Sequence, residues 1–165
     1  MGSVLISIQP KWCELIASGK KTVEVRKTKP KIETPFKCYI YCTQDKNFNF
    51  CTDDGEQYTH IGNGHVIGEF VCDNIAKGTS QLGSCLSMQQ ISEYANGKPL
   101  YGWHISKLVI YDKPKEVSEF KKMNRECWYA DLGLAKRDCP ECQNKGCFVQ
   151  IPPQSWCYVE KGGAE

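Results

Sequence analysis

A chain of 165 residues that is 41% hydrophobic and 24% charged suits one domain with a single sizeable core, and it is too apolar for a disordered tail. No apolar run approaches the roughly 20 residues that a bilayer span needs, and the opening MGSVLISIQPKW lacks the basic flank and the length of a signal peptide. The net charge of +2 is unevenly spread: Lys20, Lys21, Arg26, Lys27, Lys29, Lys31 and Lys37 face only Glu24 and Glu33 within one stretch. Such a run is either a solvated surface or a basic face for a polyanion.

In chain order, Val4 to Ile8 is an apolar run suited to a buried strand, and Gln9-Pro10 stops it with a proline placed to open a helix. The helix is expected over 10–18, with Trp12, Leu15 and Ile16 on one face and Gly19 as the residue that ends it. Thr22 to Arg26 alternates as a half-buried strand, Lys27 to Pro35 is an exposed basic loop, and Cys38 to Cys42 is a third strand with Tyr39 and Tyr41 on its second face. Gly62-Asn63-Gly64 is a tight turn, after which His65 to Ile75 returns as a strand. Ser87 caps a helix that runs to Ala95 and places Met88, Ile91 and Tyr94 or Ala95 on its buried side. Tyr101 to Tyr111 is a long strand with Trp103, Ile105 and Val109 on one face. Ser118 to Phe120 is a turn of helix, and Trp156 to Val159 is a last strand. Short strands with mostly antiparallel connections predict an α+β domain around a small mixed or antiparallel β-barrel flanked by short helices, occupying the whole of 1–165.

The 11 cysteines fall into two groups. Cys13, Cys38, Cys42, Cys51, Cys72, Cys85 and Cys157 are scattered, mostly beside apolar residues, as reduced core thiols are. Together with the missing signal peptide they predict a reducing cytoplasm. Cys127, Cys139, Cys142 and Cys147 instead follow the spacing C-x11-C-x2-C-x4-C in a loop at 127–153, where the x2 pair lets two thiolates point at one ion. This predicts a structural Zn2+ site held by four cysteines, with no open position for an activated water, and it makes the loop a zinc-bearing insertion before the last strand; free thiols or a redox pair are the alternative readings. Cys157 is the possible substitute ligand, although its place in the run Trp156-Cys157-Tyr158-Val159 fits the core.

The stretch G-K-K-T-V-E-V-R at Gly19 to Arg26, behind a strand and a short helix, resembles the opening motif G-x-K-T-x-E-x-R of the ASCH domain. Y-I-Y-C-T at Tyr39 to Thr43, G-W-H-I-S at Gly102 to Ser106 and P-P-Q-S-W-C-Y-V at Pro152 to Val159 resemble a bacterial and phage branch of that family with a cysteine-rich loop. The resemblance implies a PUA-like barrel and a basic cleft, beside the first helix, for RNA or a modified nucleoside. In such a cleft the ligand-binding residues would be Lys21, Glu24, Arg26, Trp12, Trp103 and Ser155. Glu24 and Arg26, two apart on a strand, project from one face, where the acid can orient the guanidinium; the same spacing also fits an ordinary exposed ion pair. Trp12, Tyr39, Tyr41 and Trp103 offer either stacking surface or core. His104 is either a general base or a structural histidine. Ser155 has no partnered His and Asp for nucleophilic work.

Some small ASCH relatives are amidohydrolases acting on acetylcytidine through a lysine, a threonine three residues later and a downstream glutamate. Here Lys21 matches, Glu24 stands at the threonine position, and the downstream acid is placed at Glu93. If the chain is an enzyme of this kind, Lys21 and Glu24 are its catalytic residues, Glu24 acting as a base through water. A protein-interaction factor is the third alternative, without an amphipathic helix to support it.

Overall fold

The computed structural model describes residues 2–45, 50–51, 57–58, 63–78, 83–123 and 147–160. Its strands are β1 (Ser3–Ile8), β2 (Val23–Arg26), β3 (Phe36–Cys42), β4 (Phe50–Cys51), β5 (Gln57–Tyr58), β6 (Val66–Lys77), β7 (Tyr101–Lys115) and β8 (Trp156–Val159), with helices α1 (Pro10–Ala17) and α2 (Met88–Ala95). Six of the strands form one mixed sheet in the order β2-β7-β6-β3-β1-β8, while β4 and β5 pair separately. Only β1 and β3 run parallel within the six-stranded sheet; the other neighbours are antiparallel. The sheet forms a half-barrel with the two short helices against it, as the α+β expectation requires.

β1 and β3 lie inside the sheet and are covered on both faces, which is why they read as nearly unbroken apolar runs. Val4, Ile6, Ile8, Phe36, Cys38, Ile40 and Cys42 enter one core with Trp103, Phe70 and Cys72. Leu5, Tyr39 and Tyr41 enter a second with Val66, Phe120, Val149 and Val159. Tyr39 and Tyr41 are therefore core residues, 3% and 7% exposed, and offer no stacking surface. Cys13, Cys38, Cys42 and Cys72 are fully buried, as expected of core thiols, whereas Cys85 is exposed and Cys157 is half-buried.

α1 begins with Pro10 in its first turn, where the missing N–H costs nothing, and Gly19 follows it at φ +74°. Its buried face is Pro10, Cys13 and Ile16; Trp12 and Leu15, expected on that face, are only half-buried. The helix is rotated because Cys13 packs against β3, and this turns Trp12 toward the open side. α2 carries a capping box in which Gln90 N–H donates to Ser87 Oγ and Ser87 N–H to the Gln90 side chain. Ile91 and Ala95 are buried as predicted, but Met88 is 70% exposed.

β7 also departs from simple alternation. Trp103 and Ile105 point inward, Lys107 takes φ +48°, and beyond this kink Leu108 packs on the core while Val109 is 50% exposed. A non-glycine residue at positive φ in a strand marks a bulge that shifts the side-chain phase by one. The strand continues through Pro114 to Lys115, paired with Val66. β8 lies where predicted, antiparallel to β1. Among the expected zinc ligands only Cys147 belongs to the described residues: it is buried, and its carbonyl accepts from Lys122 N–H at 2.7 Å. Cys127, Cys139 and Cys142 lie outside them.

Candidate functional site

α1, β2, α2 and the chain at Pro153–Ser155 surround a cavity of about 560 Å³, inside the usual range for small-ligand sites. Its base is built by the motif at the α1–β2 junction. Lys21 N–H donates to the Leu15 carbonyl at 2.8 Å, tucking the chain beneath the end of α1, and the Lys21 side chain turns inward, 2% exposed. Its Nζ donates to the Ser84 carbonyl at 2.6 Å and lies 3.4 Å from Glu24 Oε2. Arg26 Nη2 lies 3.0 Å from Glu24 Oε1 and donates to the Ser7 carbonyl. Glu24 is thus clamped between two cations at 6% exposure, with Arg26 at 9%. These are not surface charges. The three sum to +1, and Arg26 Nε is buried with no hydrogen-bond partner among the described residues.

Burial pulls the Lys21 pKa below the usual lysine value, and the neighbouring Glu24 carboxylate offsets only part of that pull. Ser84, itself buried, is held by a close approach of chain. Gly83, at φ +86°, accepts from both Thr22 N–H and Val23 N–H, which fixes the Lys21 acceptor next to the start of β2.

The walls carry rings and polar groups. Trp12 is half-buried, and its ring lies 5.1 Å from Lys21 Nζ and 4.7 Å from Lys11 Nζ. α2 contributes Gln90, Glu93 and Tyr94, and Lys27 Nζ sits 4.8 Å from the Tyr94 ring. Ser7 Oγ donates to the Pro153 carbonyl and Ser7 N–H to the Ser155 carbonyl, which stitches the C-terminal motif to β1 as the remaining wall.

Of the residues expected to bind, Lys21, Glu24, Arg26 and Trp12 come together here, and Glu93 lines the same cavity. Trp103 does not. It is fully buried, edge-on to Phe36 at 5.9 Å and tilted against Trp156 at 6.0 Å, because its strand position faces the core. Ser155 does not line the cavity; its carbonyl accepts from Ser7 N–H, and its neighbour Gln154 lines the cavity instead. His104 lies elsewhere on an exposed face, its Nδ1 2.6 Å from Asp73, and the histidine bond holds the Asp73 carboxyl below its ordinary range. Tyr94, Gln90 and Ser84 were not foreseen. The signal for the first two was available, since Gln90, Glu93 and Tyr94 follow the i, i+3, i+4 spacing of one helix face.

Lys27, Lys29 and Lys31 are exposed, and Lys29 and Lys31 border a second, shallower cavity of about 690 Å³ with Asn74 and Ile75. Among the described residues no group of three His, Cys, Asp or Glu side chains is placed to hold a metal, and no helix is long and apolar enough to cross a membrane.

Residues 6–131 match the sequence profile of the ASCH domain. The chain belongs to the ASCH domain family. Its fold is similar to the crystal structure of ASCH from Zymomonas mobilis, at a TM-score of 0.53 and 22% identity over 96% of this chain and 88% of that one. Two mutants of the same Zymomonas mobilis protein give TM-scores of 0.54 and 0.53, at 20% and 22% identity, each over 96% of this chain. At that identity the likeness is one of fold, and it fits a small α+β PUA-like barrel for this ASCH domain. No curated protein matches the sequence.

Proposed function

We propose that this ASCH domain binds a nucleoside, free and modified or within RNA, in the cavity between α1, β2 and α2. The observation that carries the reading is the buried Lys21–Glu24–Arg26 cluster at the base of a nucleoside-sized space. Its acid is already occupied by two cations, so the donors left over on Lys21 and Arg26 favour a planar ligand presenting acceptor oxygens or nitrogens. Trp12 and Tyr94 supply ring faces, and stacking on such faces is worth about 1–3 kcal/mol per base. Lys27, beside Tyr94, leads from the cavity to Lys29 and Lys31, so flanking phosphates of an RNA strand would run over the basic loop.

Titrations with a short single-stranded RNA and with acetylcytidine at two salt concentrations test this. RNA affinity should fall with a slope of about −0.7 in log–log form per phosphate contact, while nucleoside affinity stays nearly flat. Absence of binding by either ligand overturns the reading.

Hydrolysis of acetylcytidine is the second reading, favoured by one observation: Glu93 shares the cavity with a lysine whose pKa is lowered by burial. The hydroxyl that the relatives place three residues after the lysine is replaced by Glu24, whose two oxygens are both engaged, so attack would fall to a water. Release of acetate, abolished in Lys21→Met, would establish turnover.

For the cysteine-rich loop we propose a structural zinc ion held by Cys127, Cys139, Cys142 and Cys147. Four thiolates suit a closed tetrahedral site, and Cys147 is anchored in the folded body through its carbonyl.

A further inference from the structure

The parallel strands β1 and β3 are in register from Val4↔Cys38 to Ile8↔Cys42, so both end at the same edge and the residues that follow them emerge side by side. Thr43 N–H donates to the Ile8 carbonyl at 2.9 Å, which carries the pairing one step further and places Thr43 beside Gln9. These two residues line the nucleoside cavity, and they also line a second hollow of about 340 Å³, so they form the sill between the two. Pro10, Lys11, Gln44 and Asp45 complete the second hollow. Its chemistry is unlike that of the first. No aromatic ring is among its lining residues for a base to stack on, whereas an ammonium, two carboxamides, a hydroxyl and a carboxylate supply both donors and acceptors. Sugar hydroxyls need both, and a phosphate needs a cation. Lys11 stands at the border, its Nζ 4.7 Å from the Trp12 ring that walls the cavity. The far wall is preformed: Asp45 N–H donates to Asn63 Oδ1 at 2.7 Å, Asn63 Nδ2 to the Asp45 carbonyl at 2.8 Å, and Gly64 N–H to the Cys42 carbonyl at 2.9 Å. The Asn63-Gly64 turn thus holds 43–45 in place, and little ordering is left to be done on binding.

We propose that the second hollow is the subsite for the ribose and phosphate of the nucleotide adjoining the one in the cavity, so that the domain selects RNA over DNA. The proposal rests on the nucleoside-binding reading above and narrows it to a strand of ribose sugars. Lys11 meets the linking phosphate at the sill. Gln44 and Asp45 take the 2′-hydroxyl, the group by which a protein tells the two nucleic acids apart. With no ring to stack on, the adjoining base is left to solvent, and the subsite reads the sugar and not the base. Lys27 stands beside Tyr94 at a different wall of the cavity, so the flank that runs over the basic loop meets phosphate contacts alone.

Trinucleotides with acetylcytidine in the middle and uridine on either side test this with the full chain: one is all ribose, and two carry a single 2′-deoxyuridine, at the 5′ or the 3′ flank. The all-ribose strand should bind more tightly than acetylcytidine alone. One deoxy substitution, and not the other, should cost about fivefold in affinity, the size of one net hydrogen bond. Gln44→Ala and Asp45→Ala, both at exposed positions, should bring that ratio toward one, the ratio being read within each variant. Lys11→Ala should lower the slope of the strand's log–log salt dependence by about 0.7. If acetylcytidine binds but neither deoxy substitution weakens the strand, or both weaken it equally, or the ratio is unchanged in both Gln44→Ala and Asp45→Ala, the subsite is overturned and the nucleoside reading stands. If neither acetylcytidine nor any strand binds, that reading fails and the subsite with it.

Discussion

Glu24 is the residue on which the site turns, because it separates two buried cations. Removing one partner of a buried ion pair typically costs about 3–5 kcal/mol, and Glu24→Ala would leave Lys21 and Arg26 facing each other, so it should lower thermal stability by about that much. Glu24→Gln retains acceptor geometry and should cost less stability. Lys21 gives the opposite signature along the pH axis. Its folded pKa lies below the unfolded value of 10.5, so the unfolded chain binds the extra proton and stability rises as pH climbs from the folded pKa toward 10.5. Ligand affinity should fall over the same interval, as the ammonium that meets the ligand is lost. Thermal melts and nucleoside titrations across alkaline pH should therefore move in opposite directions, and Lys21→Met should remove both trends. The cluster's composition was legible in the motif, but its burial was not: i, i+2 spacing on a strand fits a wet ion pair equally well, and what decides is α2, which closes over β2 from seventy residues away in sequence.

At the level of elements, legibility followed how local the governing physics is. The capping box of α2, the proline start of α1 and the uninterrupted strands β1 and β3 are specified by near neighbours and appeared as expected. The rotation of α1 about Cys13 and the kink at Lys107 depend on tertiary partners, and helix or strand periodicity carried no sign of them. The link from β6 to β3 and β7 is set by Glu69, which takes bonds from Lys37 and Tyr111. Burial alone would raise the Glu69 pKa, but these bonds outweigh it and hold the carboxyl below its ordinary value. The stabilisation is therefore complete above the unfolded pKa of 4.5 and is lost as pH falls through the lower folded value. Glu69→Gln should be less stable than the parent at neutral pH and converge with it in acid melts. Gly83 couples an element to the site. Alanine there would be strained at φ +86°, costing about 1–2 kcal/mol, and would displace Ser84 from Lys21. Gly97→Ala, at φ +73° with open space around it, should lose less stability, because a Cβ at Gly83 would also come within 2.3 Å of Thr22 Oγ1, and it should leave nucleoside affinity unchanged; equal affinities in the two variants would show that the Ser84 contact is dispensable.

Across the whole molecule, the half-barrel and the cysteine-rich loop are expected to stand on different supports. In the barrel, one face of β1 and β3 feeds the first apolar core and the opposite face feeds the second, and this body is expected to fold without a metal. The loop at 127–153 is tied to the barrel through buried Cys147, Phe148 and Val149, with Val149 N–H donating to the Phe120 carbonyl at 2.9 Å. The proposed metal would add folding free energy to this segment, since binding by deprotonated thiolates contributes it directly. Protein prepared without chelators should therefore carry about one zinc per chain. Chelation should abolish hydrogen-exchange protection within 127–147 while β1, β3 and β6 stay protected, because local opening costs less than global unfolding. Cys139→Ser should lower the melting temperature more than Cys51→Ser if the proposed four-thiolate site forms, since it would remove a ligand. Metal analysis without zinc, or equal losses in the two variants, would refute the assignment and leave Cys147 as another core thiol.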